Sequence, residues 1–340
     1  MDWPGEKIFT HMLDIVERNL LSPIVGPWKI RREGAAAIEV QRGQMLSIAQ
    51  VEADIARVKS GDLVFAPDGN GSGFPKLLPR PTASESVHLQ STVRAEHHFA
   101  GAFTHSAIRM LRKEVNVWKA VARAGEILLE GEDVDPKGEP DPDWLERWRE
   151  NASSVSAERM QELWAQVLAR EVRSPGALSL RALDLLKNLD SSDAAKIERL
   201  APFVMDSSFV YRSPDSEDPR WLSYPEAVGL QELGVIAGVE ATTMNYRLGS
   251  TSKTKYHQGL RIGGYGISIV GEDPSRVVDL RCFKVTEIGK EILQLVTADS
   301  DPEYVEQVAV AIKKEGYTVH MGLTIISESG ETFLKDAREI

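Results

Sequence analysis

The sequence predicts a mainly α protein with a small α+β part: a helical arm and a helical bundle followed by a winged-helix-like C-terminal unit. Three observations predict it. Apolar residues recur at three- and four-residue spacing through much of the chain before position 212. Runs rich in β-branched residues, such as Ile267 to Val270 and Val277 to Val285, gather towards the C-terminus. Clusters of Gly, Pro, Ser and acid cut the periodic stretches apart. At 340 residues the chain exceeds the usual single core, so several units are expected. The composition divides it into an arm (1–60), a flexible linker (61–90), a helical segment (91–130), an acidic linker (131–143), a helical bundle (144–212) and the winged-helix-like unit (213–340).

In chain order, Lys7 to Asn19 places Ile8, Met12, Ile15, Val16 and Leu20 on one stripe of a charged helix. After the breakers Ser22-Pro23 and Gly26-Pro27, the run from Trp28 to Lys59 repeats Ile38, Met45, Ile48, Val51, Ile55 and Val58 at helical spacing. Its narrow stripe and length suit an extended arm or a self-association seam at least as well as a core element. Gly69, Gly71 and Gly73 mark the linker that follows, and Ser91 to about Glu130 reads as a further helix. Between Glu126 and Asp143 there are eight acids against one base, Lys137, which reads as a solvated boundary.

In the bundle, Ser156 is expected to cap a helix carrying Met160, Leu163, Trp164, Val167 and Leu168, ended by Pro175-Gly176. Ser179 is expected to cap a second helix, with Leu183, Leu186 and Leu189, and the cluster Asp190 to Asp193 a third, with Ile197, Leu200 and Val204. Pro225 to Ile236 then reads as a helix. A hairpin is expected between Ile267–Val270 and Val277–Val285 across the turn Gly271 to Ser275, and Thr286 caps a helix through Val296. Asp301-Pro302 starts the last helix, Gly316 stops it, and Tyr317 to Ile326 is a strand.

With 42% hydrophobic and 27% charged residues, the chain lies in the globular range. A formal charge of -11 argues against general attraction to phosphate backbones or anionic membranes. Cys282 is the only cysteine, so neither an intrachain disulfide nor a thiolate metal cluster can form. The stretch from Ile8 to Trp28 is broken by His11, Asp14, Glu17, Arg18 and two prolines, so no spanning helix and no secretory signal is expected. These features together predict a cytoplasmic protein.

Motifs with chemistry are scarce. His97, His98 and His105 lie near Glu96, but the spacing is not the one-turn pair of a helical zinc site, and a solvated histidine cluster is the better reading. Gly69, Gly71 and Gly73, like Gly263, Gly264 and Gly266, lack the Gly-Lys-Ser/Thr of a phosphate loop and read as turns. Cys282 sits in an expected strand as a small hydrophobe. No catalytic residue, metal ligand or cofactor is assigned. The basic cluster Trp28, Lys29, Arg31 and Arg32 is the local feature suited to phosphate groups of lipid or nucleic acid, diluted by Glu33 and Glu39.

The blocks Asp143-Trp144-Leu145, Glu162 to Glu171, Ser174-Pro175-Gly176, Ser179-Leu180-Arg181 and Asp193-Ala194 resemble the bacterial family known as domain of unknown function 2806. Trp28-Lys29-Ile30-Arg31-Arg32 resembles that family's N-terminal segment. The Leu163-Trp164-Ala165 helix is also similar to modules of abortive-infection proteins, which implies a role in bacterial defence against phage. The resemblance carries no catalytic residue.

The expected function is a non-enzymatic interaction protein, a sensor or adaptor, with a protein partner and self-association through the N-terminal arm. Membrane contact through the basic cluster is a weaker expectation. Arg181, in a first helical turn against the dipole, is expected to need a carboxylate or a partner contact. The alternative is a DNA-binding regulator in which Arg261, Arg276 and Arg281 contact phosphates.

Overall fold

A computed structural model describes residues 5–19, 37–66, 76–79, 93–131, 135, 137–212, 221–241, 244–296, 298–326 and 332–340. The chain divides into two compact units, Met1–Leu180 and Arg181–Ile340. Helices dominate the first and an antiparallel sheet the second.

The first unit contains α1 (Glu6–Asn19), α2 (Ala37–Ser60), α3 (Val93–Glu130), α4 (Pro142–Ser153) and α5 (Glu158–Arg173). The stripe on α1 is real and wider than expected: Ile8, Phe9, Met12, Leu13, Ile15 and Val16 are all buried. They pack against α3, α4 and α5 of the same chain. Gly5, at φ +83, begins the helix where a Cβ would lie 2.0 Å from the Leu128 carbonyl oxygen, so no larger residue fits. Helix α2 packs on α3 through Ile48, Ile55 and Val58 while Met45 and Leu46 face outward, 50% and 68% exposed. Within the stretch read as a linker, β1 (Leu63–Ala66) and β2 (Lys76–Pro79) pair as an antiparallel ribbon.

Asp141 caps α4 by accepting the N–H groups of Asp143 and Trp144, and Pro142 occupies the first turn, where no N–H is needed. Helix α5 begins one residue later than the sequence suggests. Its cap is Ala157 rather than Ser156, with no side-chain hydrogen bond, so tertiary packing rather than a cap fixes this end. Trp164, Val167, Leu168 and Val172 form its buried face.

The second unit opens with α6 (Leu180–Asn188) and α7 (Ser191–Leu200), the latter capped by Asp190 on the Asp193 N–H as expected. A 3-10 turn (Ala201–Phe203) leads into β3 (Val204–Met205) and β4 (Phe209–Tyr211), followed by α8 (Tyr224–Glu232), β5 (Ile236–Ala237), β6 (Asn245–Gly249), β7 (Tyr256–Ile262), β8 (Tyr265–Gly271), β9 (Val277–Val285), α9 (Glu287–Leu293), α10 (Pro302–Lys314), β10 (Thr318–Ile326) and β11 (Thr332–Glu339). Among the described residues the sheet has nine strands in the order β11-β10-β8-β7-β3-β4-β9-β5, with β6 also on β9. Helix α10 covers β8 and β10, burying Tyr304, Val305, Val308, Ala309 and Ile312.

The β part is therefore larger than the sequence suggests, and the expected hairpin is a correction. Strands β8 and β9 do not pair; β8 lies between β7 and β10, while β9 pairs with β4, β5 and β6. The true hairpin is β7–β8, closed by Gly263-Gly264 with Ile262 opposite Tyr265. A Gly-Gly turn at φ +54 is a stronger two-residue hairpin signal than the longer polar loop after Gly271. Strands of two and three residues, such as β3, β4 and β5, are too short for any periodicity to reveal. No helix among the described residues is long and apolar enough to cross a membrane.

Candidate docking groove

In the helical unit, the blocks between Asp143 and Leu180 converge. The Trp144 indole donates to the Leu178 carbonyl at 2.7 Å, and the Trp148 indole donates to the Trp164 carbonyl at 2.9 Å. Each buried indole N–H thereby holds a backbone oxygen of another segment. Glu171 lies on the buried face of α5 and is only 1% exposed. Its two carboxylate oxygens accept the N–H groups of Gly176 at 2.6 Å and Leu178 at 3.1 Å. Gly176 takes the left-handed conformation, φ +83, that this turn requires. The segment after α5 is thus fixed from two sides, by Trp144 and by Glu171.

Between this segment and the start of α4 runs an open groove of about 830 Å³, lined among others by Pro142, Trp144, Glu171, Pro175, Leu178 and Leu180. Leu180 is 43% exposed there. On its edge Glu139 accepts from Arg18 at 2.8 Å, and the His11 ring donates to the Gly138 carbonyl at 2.9 Å, so α1 ties down the chain entering α4. The Asp141 carboxylate is committed to its two capping N–H groups. Asp143 is exposed and has no ion pair among the described residues. The groove's acceptors hold backbone, so its shape is preformed.

The sheet unit has a smaller cavity, about 50 Å³, walled by Phe203, Tyr211, Arg212, Trp221, Phe283 and Tyr304. Phe203, Trp221 and Tyr304 pack edge-on or tilted, with centroids 4.9 to 6.1 Å apart. Burial pushes the Tyr304 hydroxyl pKa far up, and its oxygen accepts the Tyr211 N–H at 2.8 Å. The Arg212 guanidinium lies 5.6 Å over the Phe283 ring.

The described residues among those expected to contact partners or phosphates are not brought together. Trp28, Lys29, Arg31 and Arg32 lie outside the described residues. Arg181 stands in the first turn of α6, exposed, with no ion pair among the described residues. Solvent around an exposed guanidinium screens the dipole, which removes the need for a partner. Arg261 on β7 and Arg281 on β9 are both exposed, yet two strands separate them, a spacing of about 14 Å. Arg276 instead donates to the Glu315 carbonyl at 2.5 Å and stacks 4.4 Å over Tyr317.

His105 is exposed, the side chains of His97 and His98 lie outside the described residues, and no group of three metal-ligating side chains occurs among the described ones. Burial and the Asp279 carboxylate push the Cys282 thiol up to about 11, so it is no thiolate at neutral pH. Sequence reasoning missed Glu171 as a site residue. Its signal was visible, a carboxylate four residues after Val167 and seven after Trp164 on the apolar stripe.

No curated protein and no solved structure matches the chain. A family model does, across α4, α5, α6 and α7. It matches residues 107–212, which carry Trp144, Glu171 and the rest of the groove from Pro142 onward, and the family is described as protein of unknown function (DUF2806).

Proposed function

We propose that the protein is a non-enzymatic interaction protein, a sensor or adaptor of the bacterial cytoplasm that acts in anti-phage defence or stress response. The observation that carries this reading is the groove at α4 and α5, where Asp141 and Glu171 each satisfy two backbone N–H groups. Carboxylates used in this way fix the backbone that shapes the groove, a structural role rather than one in proton transfer. The defence assignment rests on the similarity of the Leu163-Trp164-Ala165 helix to abortive-infection modules alone, which is analogy. Turnover of nucleotides or nucleic acid by purified full-length protein, persisting at constant specific activity through a second purification, would overturn the reading; the expected result is none.

Self-association is part of this proposal. The stripe of α1 is covered by its own chain, so the seam is assigned to α2, where Met45 and Leu46 are exposed. Light scattering on the full chain at micromolar concentration should give a dimer or larger species, and Leu46→Lys should give a monomer. A monomeric wild-type chain contradicts it.

One observation favours a second reading, DNA binding by the winged-helix-like unit: Arg261 and Arg281 are exposed and have no ion pair among the described residues. Arg276 is less suited, being held by Glu315 and Tyr317. Affinity for duplex DNA that falls steeply with salt and is weakened by Arg261→Ala supports it; no binding at low salt removes it.

A further inference from the structure

We infer that the groove between α4 and the segment 174–180 docks an extended, lysine- or arginine-bearing peptide segment of a partner protein. This rests on the reading of the protein as an interaction protein and deepens it. A groove of about 830 Å³ lies in the range of specific binding sites, roughly 300–1,000 Å³. Its charge is one-sided. Among the described residues Glu139, Asp141, Asp143 and Glu171 line it and no lysine or arginine does; Arg18, at the edge, offsets Glu139.

A phosphate or nucleic-acid ligand would meet the exposed carboxylates of Asp141 and Asp143, whereas a basic side chain would find a complementary field and, at Asp143, a carboxylate with no ion pair among the described residues. The floor is apolar. Over the buried Trp144 and Leu178, the exposed Pro142, the half-buried Pro175 and the 43% exposed Leu180 offer a surface for the aliphatic stems of lysine and arginine and for apolar residues between them. The walls are rigid, because the Trp144 indole and the Glu171 carboxylate fix the 174–178 backbone and two prolines flank the N-cap at Asp141. A preformed groove loses little conformational freedom on binding, so a short segment suffices.

The test is a random octapeptide array probed with the full-length protein. Bound peptides should be enriched in lysine and arginine interleaved with apolar residues. Their binding should weaken about tenfold in Asp143→Lys and in about 0.5 M salt, and several-fold in Leu180→Ser, which keeps the charge. Both substitutions are at exposed positions, and unchanged melting temperatures show that the variants are folded. Absence of basic enrichment, or equal binding by Asp143→Lys, overturns the groove assignment. The interaction reading stands or falls separately on the turnover and light-scattering experiments.

Discussion

The helical and sheet units bury their large aromatic side chains in different ways. In the helical unit, Trp144 and Trp148 sit on the repeating face of one helix and reach backbone carbonyls of a neighbouring segment. In the sheet unit, Phe203, Trp221 and Tyr304 come from three separate parts of the sequence, and the Tyr304 hydroxyl meets the Tyr211 N–H 93 residues away. The first arrangement follows from local periodicity. The second exists only once the sheet is assembled, so the two units should respond differently to substitution.

The largest effect is expected in the helical unit. Trp164→Ala, at a site 1% exposed, should cost about 3–5 kcal/mol in urea unfolding, and an unchanged midpoint would contradict its place as a core anchor. Glu171→Ala should cost about 1–3 kcal/mol, because the N–H groups of Gly176 and Leu178 lose their acceptor in a part-buried loop. In the sheet unit Tyr304→Phe keeps the ring and removes one acceptor, for about 1 kcal/mol. If it matches Trp164→Ala, the contrast between the units is wrong.

Two smaller effects sharpen the comparison. Burial holds the Cys282 proton in the native state at pH values where the unfolded thiol, with a pKa of about 8.5, releases it. The native state then binds more protons than the unfolded one, so stability is full below that value and falls as pH rises towards about 11. The loss should be under about 1 kcal/mol near pH 9, and Cys282→Ala should remove this part of the slope in urea melts, leaving the part from the buried tyrosines at higher pH. Arg181→Ala should change stability by less than about 0.5 kcal/mol, since the side chain is exposed.

The same contrast explains what the sequence made legible. The helices with apolar stripes, the Asp190, Thr286 and Asp301 caps and the Gly316 stop were all readable, because capping and periodicity act within a few residues. Strand pairing was not. The expected β8–β9 hairpin failed because partner choice depends on β3 and β4, which are too short to be detected, and on β7, whose His257, Gln258 and Gly259 weaken its strand signal. The groove was half legible. Trp144 and Pro175-Gly176 stood out as a pattern, but that the Glu171 carboxylate turns back onto the loop after its own helix is a tertiary fact.

The most direct test of the central claim, that the groove's buried carboxylate is a structural pin beneath a docking surface, is amide hydrogen exchange at Gly176 and Leu178 in the wild type and in Glu171→Gln. Both amides should be strongly protected in the wild type. In the variant they should exchange at loop-like rates while the amides of β7 and β8 keep their protection. Fast exchange of Gly176 and Leu178 in the wild type, or protection unchanged in Glu171→Gln, would contradict it.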